Sequence, residues 1–177
     1  MSITFLRHFS TEVDPETPQA EWGLSEEGRK QQQEFVENND FEHDVVYSSP
    51  EKKALETAQK ISEKEDVPLI VSSDLKEVDR SEEGFIEEHE EYVEMVKEFL
   101  NGSPGFAWEE FEEVRLRLKS FAETVEDEKD VLAVTHGMIL STFLPELFGR
   151  DRFEFWQGLE FGETFEVAPA DVHEVVK

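Results

Sequence analysis

Four apolar runs in this 177-residue chain end in side chains able to hold or attack a charged group. Ile3-Thr4-Phe5-Leu6 delivers Arg7-His8, and Val45-Val46-Tyr47 delivers Ser48-Ser49-Pro50 with Lys52 and Lys53 just beyond. Leu69-Ile70-Val71 leads through Asp74-Leu75-Lys76 to Glu77, and Leu132-Ala133-Val134-Thr135 delivers His136-Gly137. If the runs are parallel strands of one sheet, their carboxyl ends share the rim where open α/β sheets bind ligands. The second and fourth runs pass straight into helix starts, whose unsatisfied N–H groups and positive dipole ends favour an anion. Two imidazoles, a guanidinium, an ammonium and a carboxylate on such a rim form a pocket for a phosphoryl group.

Taken singly, each residue has an ordinary structural reading. His8 alone reads as a buried, hydrogen-bonded strand-end histidine. Arg7 is an obvious ion-pair partner in so acidic a chain, because buried arginine is usually paired. Lys53 lies in the first turns of a charged helix, with Lys52 competing for any role, and Glu77 has Asp79, Glu82 and Glu83 as neighbours. Consecutive strand residues point to opposite faces, so Arg7 and His8 share a pocket only if the chain turns there. His43, His89 and His173 stand among acids without metal-ligand spacing and read as solvated helix or strand residues; no short motif such as H-E-x-x-H marks a metal site.

The elements that must position these residues follow from pattern. Leu24 to Asn39 reads as a helix with Ser25 at its N-cap and Glu26 and Glu27 in the first turn. Ser49 as N-cap and Pro50 at the first helical position open a second helix. Val67 to Ser73 reads as a third strand. Ile86, Val93, Val96 and Leu100 fall at helical spacing until Asn101 to Gly105 stops them, and a further helix runs from about Trp108 to Val125. Asp130 to Thr135 is almost continuously apolar, as a strand covered on both faces should be, and Met138 to Gly149 reads as an apolar helix. The tail from Glu163 reads as two short strands joined by a turn. Alternating strands and helices predict an α/β fold, a three-layer α/β/α sandwich with a mainly parallel central sheet.

Composition bounds the rest. The length suits one domain, 1–177, and the absence of cysteine removes disulfides, thiolate metal sites and cysteine nucleophiles. Asp plus Glu is 44 against 17 Lys plus Arg, a net charge of −27. A surface so acidic argues against nucleic acid as partner, while 15 Phe and three Trp argue against disorder. No run is long and apolar enough for a membrane span, so a cytoplasmic protein without membrane partner is expected, as monomer or homodimer. The acids are spread along the chain, the pattern of a halophilic skin screened by molar salt.

The stretches F-L-R-H-F-S-T (5–11), Y-S-S-P-E-K-K-A-L-E-T-A (47–58), L-K-E-V-D (75–79) and A-V-T-H-G (133–137) together resemble the histidine phosphatase superfamily, in the branch that includes cofactor-dependent phosphoglycerate mutase. L-S-E-E-G-R-K-Q (24–31) is similar to a further segment of that family, and the resemblance spans residues 3 to 140. It implies that His8 is the nucleophile that becomes phosphohistidine. It also implies that Arg7, Lys53, His136 and Gly137 bind the phosphoryl oxygens, and that Glu77 protonates the leaving group and then activates water. Neutral imidazole suits the first role, and a loose phosphoryl transition state asks mainly for positioning and positive charge. Some branches place an aspartate directly after the second histidine; Gly137 stands there, which assigns the acid to Glu77. The implied activity is hydrolysis of a small phosphorylated substrate with no metal or other cofactor. A mutase is the nearest alternative, disfavoured because the only sizeable cover is Ser81 to Trp108. Two departures, Phe9 for glycine and Lys53 for arginine, open a third reading, a weakened phosphate-binding or regulatory protein.

Overall fold

Five strands form one sheet in the order β3-β2-β4-β1-β5: β1 (Ser2–Arg7), β2 (Val45–Ser48), β3 (Leu69–Val71), β4 (Asp130–Thr135) and β5 (Thr164–Val167). The computed structural model describes residues 2–40, 42–102, 105–128 and 130–176. The first four strands are parallel, and β5 joins the β1 edge antiparallel. Side chains alternate across the sheet with the period of two that strands impose. Ile3, Phe5, Val45, Tyr47, Val131 and Ala133 enter one core, whereas Leu6, Val46, Leu132 and Val134 enter the other. Helices α1 (Glu26–Asn38) and α2 (Lys52–Glu65) cover the second face through Phe35, Val36, Ala54, Ala58 and Ile61. On the first face lie α3 (His89–Leu100), α4 (Phe111–Thr124), α5 (Gly137–Ser141), α6 (Leu144–Phe148), α7 (Arg152–Gly158) and α8 (Pro169–Val175). This is the expected three-layer sandwich.

Several local expectations need correction. Helix α2 begins at Lys52 with Glu51 as N-cap, not at Pro50 with Ser49. The start moves two residues on, and the Ser49 hydroxyl accepts from the Glu51 N–H at 3.2 Å while also meeting His136 Nε2 at 2.8 Å. Helix α3 begins at His89 rather than Ile86, and α4 starts three residues after Trp108. The apolar helix after β4 is broken in two, because Pro145 has no N–H to continue it and instead opens α6. Helix α7 escaped the sequence reading; Asp151 caps it by accepting from the Phe153 and Glu154 N–H groups, both at 2.9 Å. The tail holds one strand and then α8. Pro169 suits the first helical turn, and Asp171 accepts from the Ala168 N–H at 3.0 Å. Ser103 and Pro104, part of the expected helix stop and of the covering segment, lie outside the described residues.

Gly28 has a purpose that helix propensity alone hides. A Cβ there would lie 2.0 Å from the Ser10 carbonyl oxygen. The Ser25 N–H donates to that same carbonyl at 3.0 Å, and the Ser10 N–H donates to Gln31 Oε1 at 3.0 Å. The Leu24–Gln31 segment thus clamps the loop that follows His8.

Candidate active site

Strands β1, β2 and β4 end level on one rim, with Arg7 opposite Thr135 and Ser48 opposite Val134. The Thr135 hydroxyl donates to the Leu75 carbonyl at 2.7 Å, which brings the segment leading to Glu77 onto the same rim. Two adjacent pairs then face each other. A Cβ on Gly137 would lie 3.3 Å from Arg7 Nε, so the guanidinium covers the glycine. The His8 and His136 rings meet edge to face with centroids 5.0 Å apart. Arg7 and His8 therefore reach the same site although they are neighbours in sequence.

His8 Nδ1 is 2.7 Å from the Phe9 carbonyl oxygen. A carbonyl only accepts, so Nδ1 carries the proton and Nε2 keeps the lone pair. Burial, then the charge of His136, Lys53 and Arg7, holds the His8 pKa well below its ordinary value, against the opposing pull of the Phe9 carbonyl. His136 is fully buried, and burial followed by Lys53, Arg7, Arg80 and Arg117 lowers its pKa likewise. Both rings are neutral near pH 7. His136 Nε2 meets Ser49 Oγ at 2.8 Å, and its Nδ1 is buried without a partner.

Phe9 turns away from the pocket. Its ring packs edge to face on Phe35 at 5.4 Å and against Gly162, where φ is +76° and a Cβ would lie 2.6 Å from Phe9 Cε1. The absence of a side chain at Gly162 makes room for the Phe9 ring. Arg7 stacks over Phe161 at 4.2 Å and donates to the Leu159 carbonyl, with Nε buried and unpartnered. Burial, offset in part by Glu77, lowers its pKa; it remains a cation.

Lys53, not Lys52, enters the site: Lys53 is 2% exposed and Lys52 is exposed. Its ammonium donates to Gln19 O at 3.0 Å and to Glu51 Oε2 at 2.5 Å. Glu51, 8% exposed, also holds Oε1 3.6 Å from His136 Nε2 and accepts from the Glu77 N–H at 2.8 Å. An internal carboxylate therefore bridges two groups expected to grip phosphoryl oxygens. The acid in Ser-Pro-Glu-Lys-Lys was the available signal, but by type alone it reads as one of 44 surface acids. The Glu77 carboxylate rests on the start of α5, accepting from the Val78, Met138 and Ile139 N–H groups at 3.0, 3.1 and 2.9 Å. The Gly137 N–H has no protein partner among the described residues.

From Glu51 and Glu77 a cavity of about 940 Å³ opens outward beneath the 3-10 turn Gln19–Glu21 and the chain from Asp79 to His89. Of the remaining histidines, His43 is not solvated as expected: its side chain is buried and meets both Glu65 oxygens at 3.2 and 3.0 Å. Among the described residues no three His, Asp or Glu side chains are grouped to hold a metal ion, and no helix is long and apolar enough to cross a membrane.

The family model for the histidine phosphatase superfamily (branch 1) matches residues 3–167. No curated protein matches the chain. Among solved structures, YhfR of Bacillus stearothermophilus superposes with a TM-score of 0.74 at 20% identity, covering 93% of this chain and 89% of that one. The mycobacterial glucosyl-3-phosphoglycerate phosphatase gives 0.71 at 17% identity, with 93% and 88% covered. A phosphoserine phosphatase mutant of Entamoeba histolytica, in complex with phosphoserine, gives 0.70 at 21%, with 93% and 89% covered. At these identities the structural likeness carries the fold.

Proposed function

The chain belongs to the histidine phosphatase superfamily, and on that footing we propose that it hydrolyses small phosphomonoesters through a phosphohistidine on His8. The observation that carries this reading is the neutral His8 ring, anchored through Nδ1 to the Phe9 carbonyl with Nε2 left to attack. In the first step Nε2 bonds to phosphorus as the P–O bond to the leaving group breaks. Arg7, Lys53, His136 and the Gly137 N–H take the phosphoryl oxygens, and Glu77 gives its proton to the departing oxygen. In the second step Glu77 takes a proton from water, the water oxygen bonds to phosphorus, and the N–P bond returns its electrons to His8. The remaining readings are a single domain over 1–177, a cytoplasmic location, adaptation to high salt, and a monomer or homodimer that binds neither nucleic acid nor membrane. The acidic composition supports the salt and nucleic-acid readings.

Rapid denaturation after mixing with a labelled phosphomonoester should trap an acid-labile, base-stable phosphoryl group that is absent from His8→Ala. Equal labelling of His8→Ala would overturn the assignment. Lys53, a point charge where the resembling family has arginine, favours one second reading, a phosphate-binding protein with slow turnover. Normal trapping followed by hydrolysis slower than cellular use requires would select it.

A further inference from the structure

Among the described residues, the arginines that are at least partly buried are Arg7, Arg80, Arg115, Arg117 and Arg152. Arg115 and Arg152 pair with Glu146, and Arg117 pairs with Glu109. Arg7 and Arg80 pair with no carboxylate; each also has its Nε buried without a partner, a feature shared with the paired Arg115. In a chain with 44 acids, these two stand apart from the three paired arginines. Arg7 lies where the phosphoryl group is held, and its missing counter-charge is what a phosphate would supply. Arg80 has the same deficit at a second place.

Arg80 lines the cavity that opens from Glu51 and Glu77. Its guanidinium stacks over Tyr92 at 5.1 Å and Trp108 at 5.3 Å, and one terminal nitrogen donates to Gln19 Oε1. Packing thus fixes the group without neutralising it, and its charge reaches far enough inward to depress His136. The cavity walls are apolar: Val13, Trp22, Phe85, Ile86 and Tyr92 contribute, with Trp22 and Phe85 edge to face at 6.2 Å. Trp22 Nε1 is committed to the Asp14 and Thr17 carbonyls, so Trp22 offers its ring rather than a hydrogen bond. Glu16, Asp79 and Glu87 also line the cavity. They repel an anion, so its place is beside a cation, and of the two that line the cavity, Lys76 and Arg80, only Arg80 is held between aromatic rings.

Building on the phosphatase reading, we propose that the leaving group carries a second anion, a carboxylate or a phosphate, on an apolar body of aromatic dimensions, and that Arg80 binds this anion. The volume of about 940 Å³ suits such a body better than a two- or three-carbon alcohol, which would leave most of the apolar wall wet. Arginine suits the task because its planar fork matches both oxyanions.

The test compares phenyl phosphate with meta- and para-carboxyphenyl phosphate and with phenylene bisphosphate. At least one charged ester should exceed phenyl phosphate in kcat/KM by about tenfold or more, mainly through KM, the size of one charged hydrogen-bonded contact. The ester preferred tells carboxylate from phosphate. Arg80→Gln should erase that preference, lowering kcat/KM for the charged esters by about tenfold more than for phenyl phosphate, because only they lose a direct contact. Preference of the parent for phenyl phosphate, or equal loss of charged and neutral esters in Arg80→Gln, would overturn the proposal; equal loss would make Arg80 a pin for Tyr92 and Trp108. Calorimetric binding of meta- and para-hydroxybenzoate and phenylene bisphosphate needs no turnover. Binding of one of the acids or of phenylene bisphosphate that vanishes in Arg80→Gln supports the Arg80 site even if no ester is hydrolysed, and absence of any such Arg80-dependent binding overturns it.

Discussion

Glu51 should weaken the phosphoryl site, and replacing it with glutamine should tighten it. The carboxylate contacts Lys53 at 2.5 Å and lies 3.6 Å from His136 Nε2, so a phosphoryl oxygen touching both groups falls within about 5 Å of it by ordinary contact lengths. One unit charge at ~5 Å costs about 3 kcal/mol at an effective dielectric near 20. Rotation of Glu51 away from the ligand relieves part of this, leaving about 1.4 kcal/mol or more, or at least tenfold in affinity. Glutamine is the informative replacement because its amide oxygen can still accept from the Glu77 N–H, now at 2.8 Å. Lys53 keeps its bond to the Gln19 carbonyl. Inorganic phosphate binding, measured by calorimetry at fixed ionic strength, should be about tenfold or more tighter in Glu51→Gln than in the parent. Equal or weaker binding would refute the reasoning and make Glu51 the support that holds Lys53 in place rather than a competitor for it.

Lys53→Ala should lower kcat/KM by roughly 10²-fold, the size of one lost electrostatic donor, while Lys53→Arg retains or raises it and Lys52→Ala does little; steady-state kinetics that reverse this order would unseat Lys53. Glu77→Gln should slow hydrolysis of alkyl phosphates by roughly 10²–10⁴-fold and of aryl phosphates less, because a poor leaving group needs the proton more; equal loss would move the acid to another carboxylate. His8 and His136 are held neutral in the fold, so above the unfolded pKa of about 6.5 neither makes stability depend on pH. As pH falls below that value only the unfolded chain takes up the protons, and stability drops by about 1 kcal/mol per pH unit for each ring. Denaturant titrations at pH 7.5 and 5 should show a smaller drop for His8→Gln than for the parent. With a net charge of −27, melting temperature and activity should both rise from low salt toward molar KCl, and a flat or falling melting temperature would remove the halophilic reading.

The sheet, the order of its main elements and the rim that gathers Arg7, His8, Lys53, Glu77, His136 and Gly137 were legible because they rest on period-two apolar strands and on strand ends. What was not legible depends on contacts between segments. Nothing in the Phe9 position tells whether its ring faces the ligand; that is decided by the space at Gly162, more than 150 positions later. Ser49 reads as a helix cap by type, and its hydroxyl does accept from the Glu51 N–H ahead of α2, but nothing in its type shows that it also meets His136 across the sheet. Helix α7 has only seven residues and five of them are aromatic, glutamine or glycine, too short a span to show a period.

Charge is where the sequence was least informative and the structure most. With acids so abundant, a carboxylate partner is what a partly buried arginine here should show, and Arg115, Arg117 and Arg152 do show it. Pairing is therefore uninformative and its absence is the signal. Among the described residues Arg7 and Arg80 form no such pair, and both border the candidate site, which leaves each able to take its counter-charge from a substrate. Lys53 breaks that pattern by pairing with Glu51 inside the phosphoryl pocket. A site that needed its full positive charge would leave Lys53 as open as Arg7. An internal anion beside it means that substrate must compete with the protein's own carboxylate, which favours prompt release of inorganic phosphate and suits hydrolysis better than retention of the phosphoryl group for return.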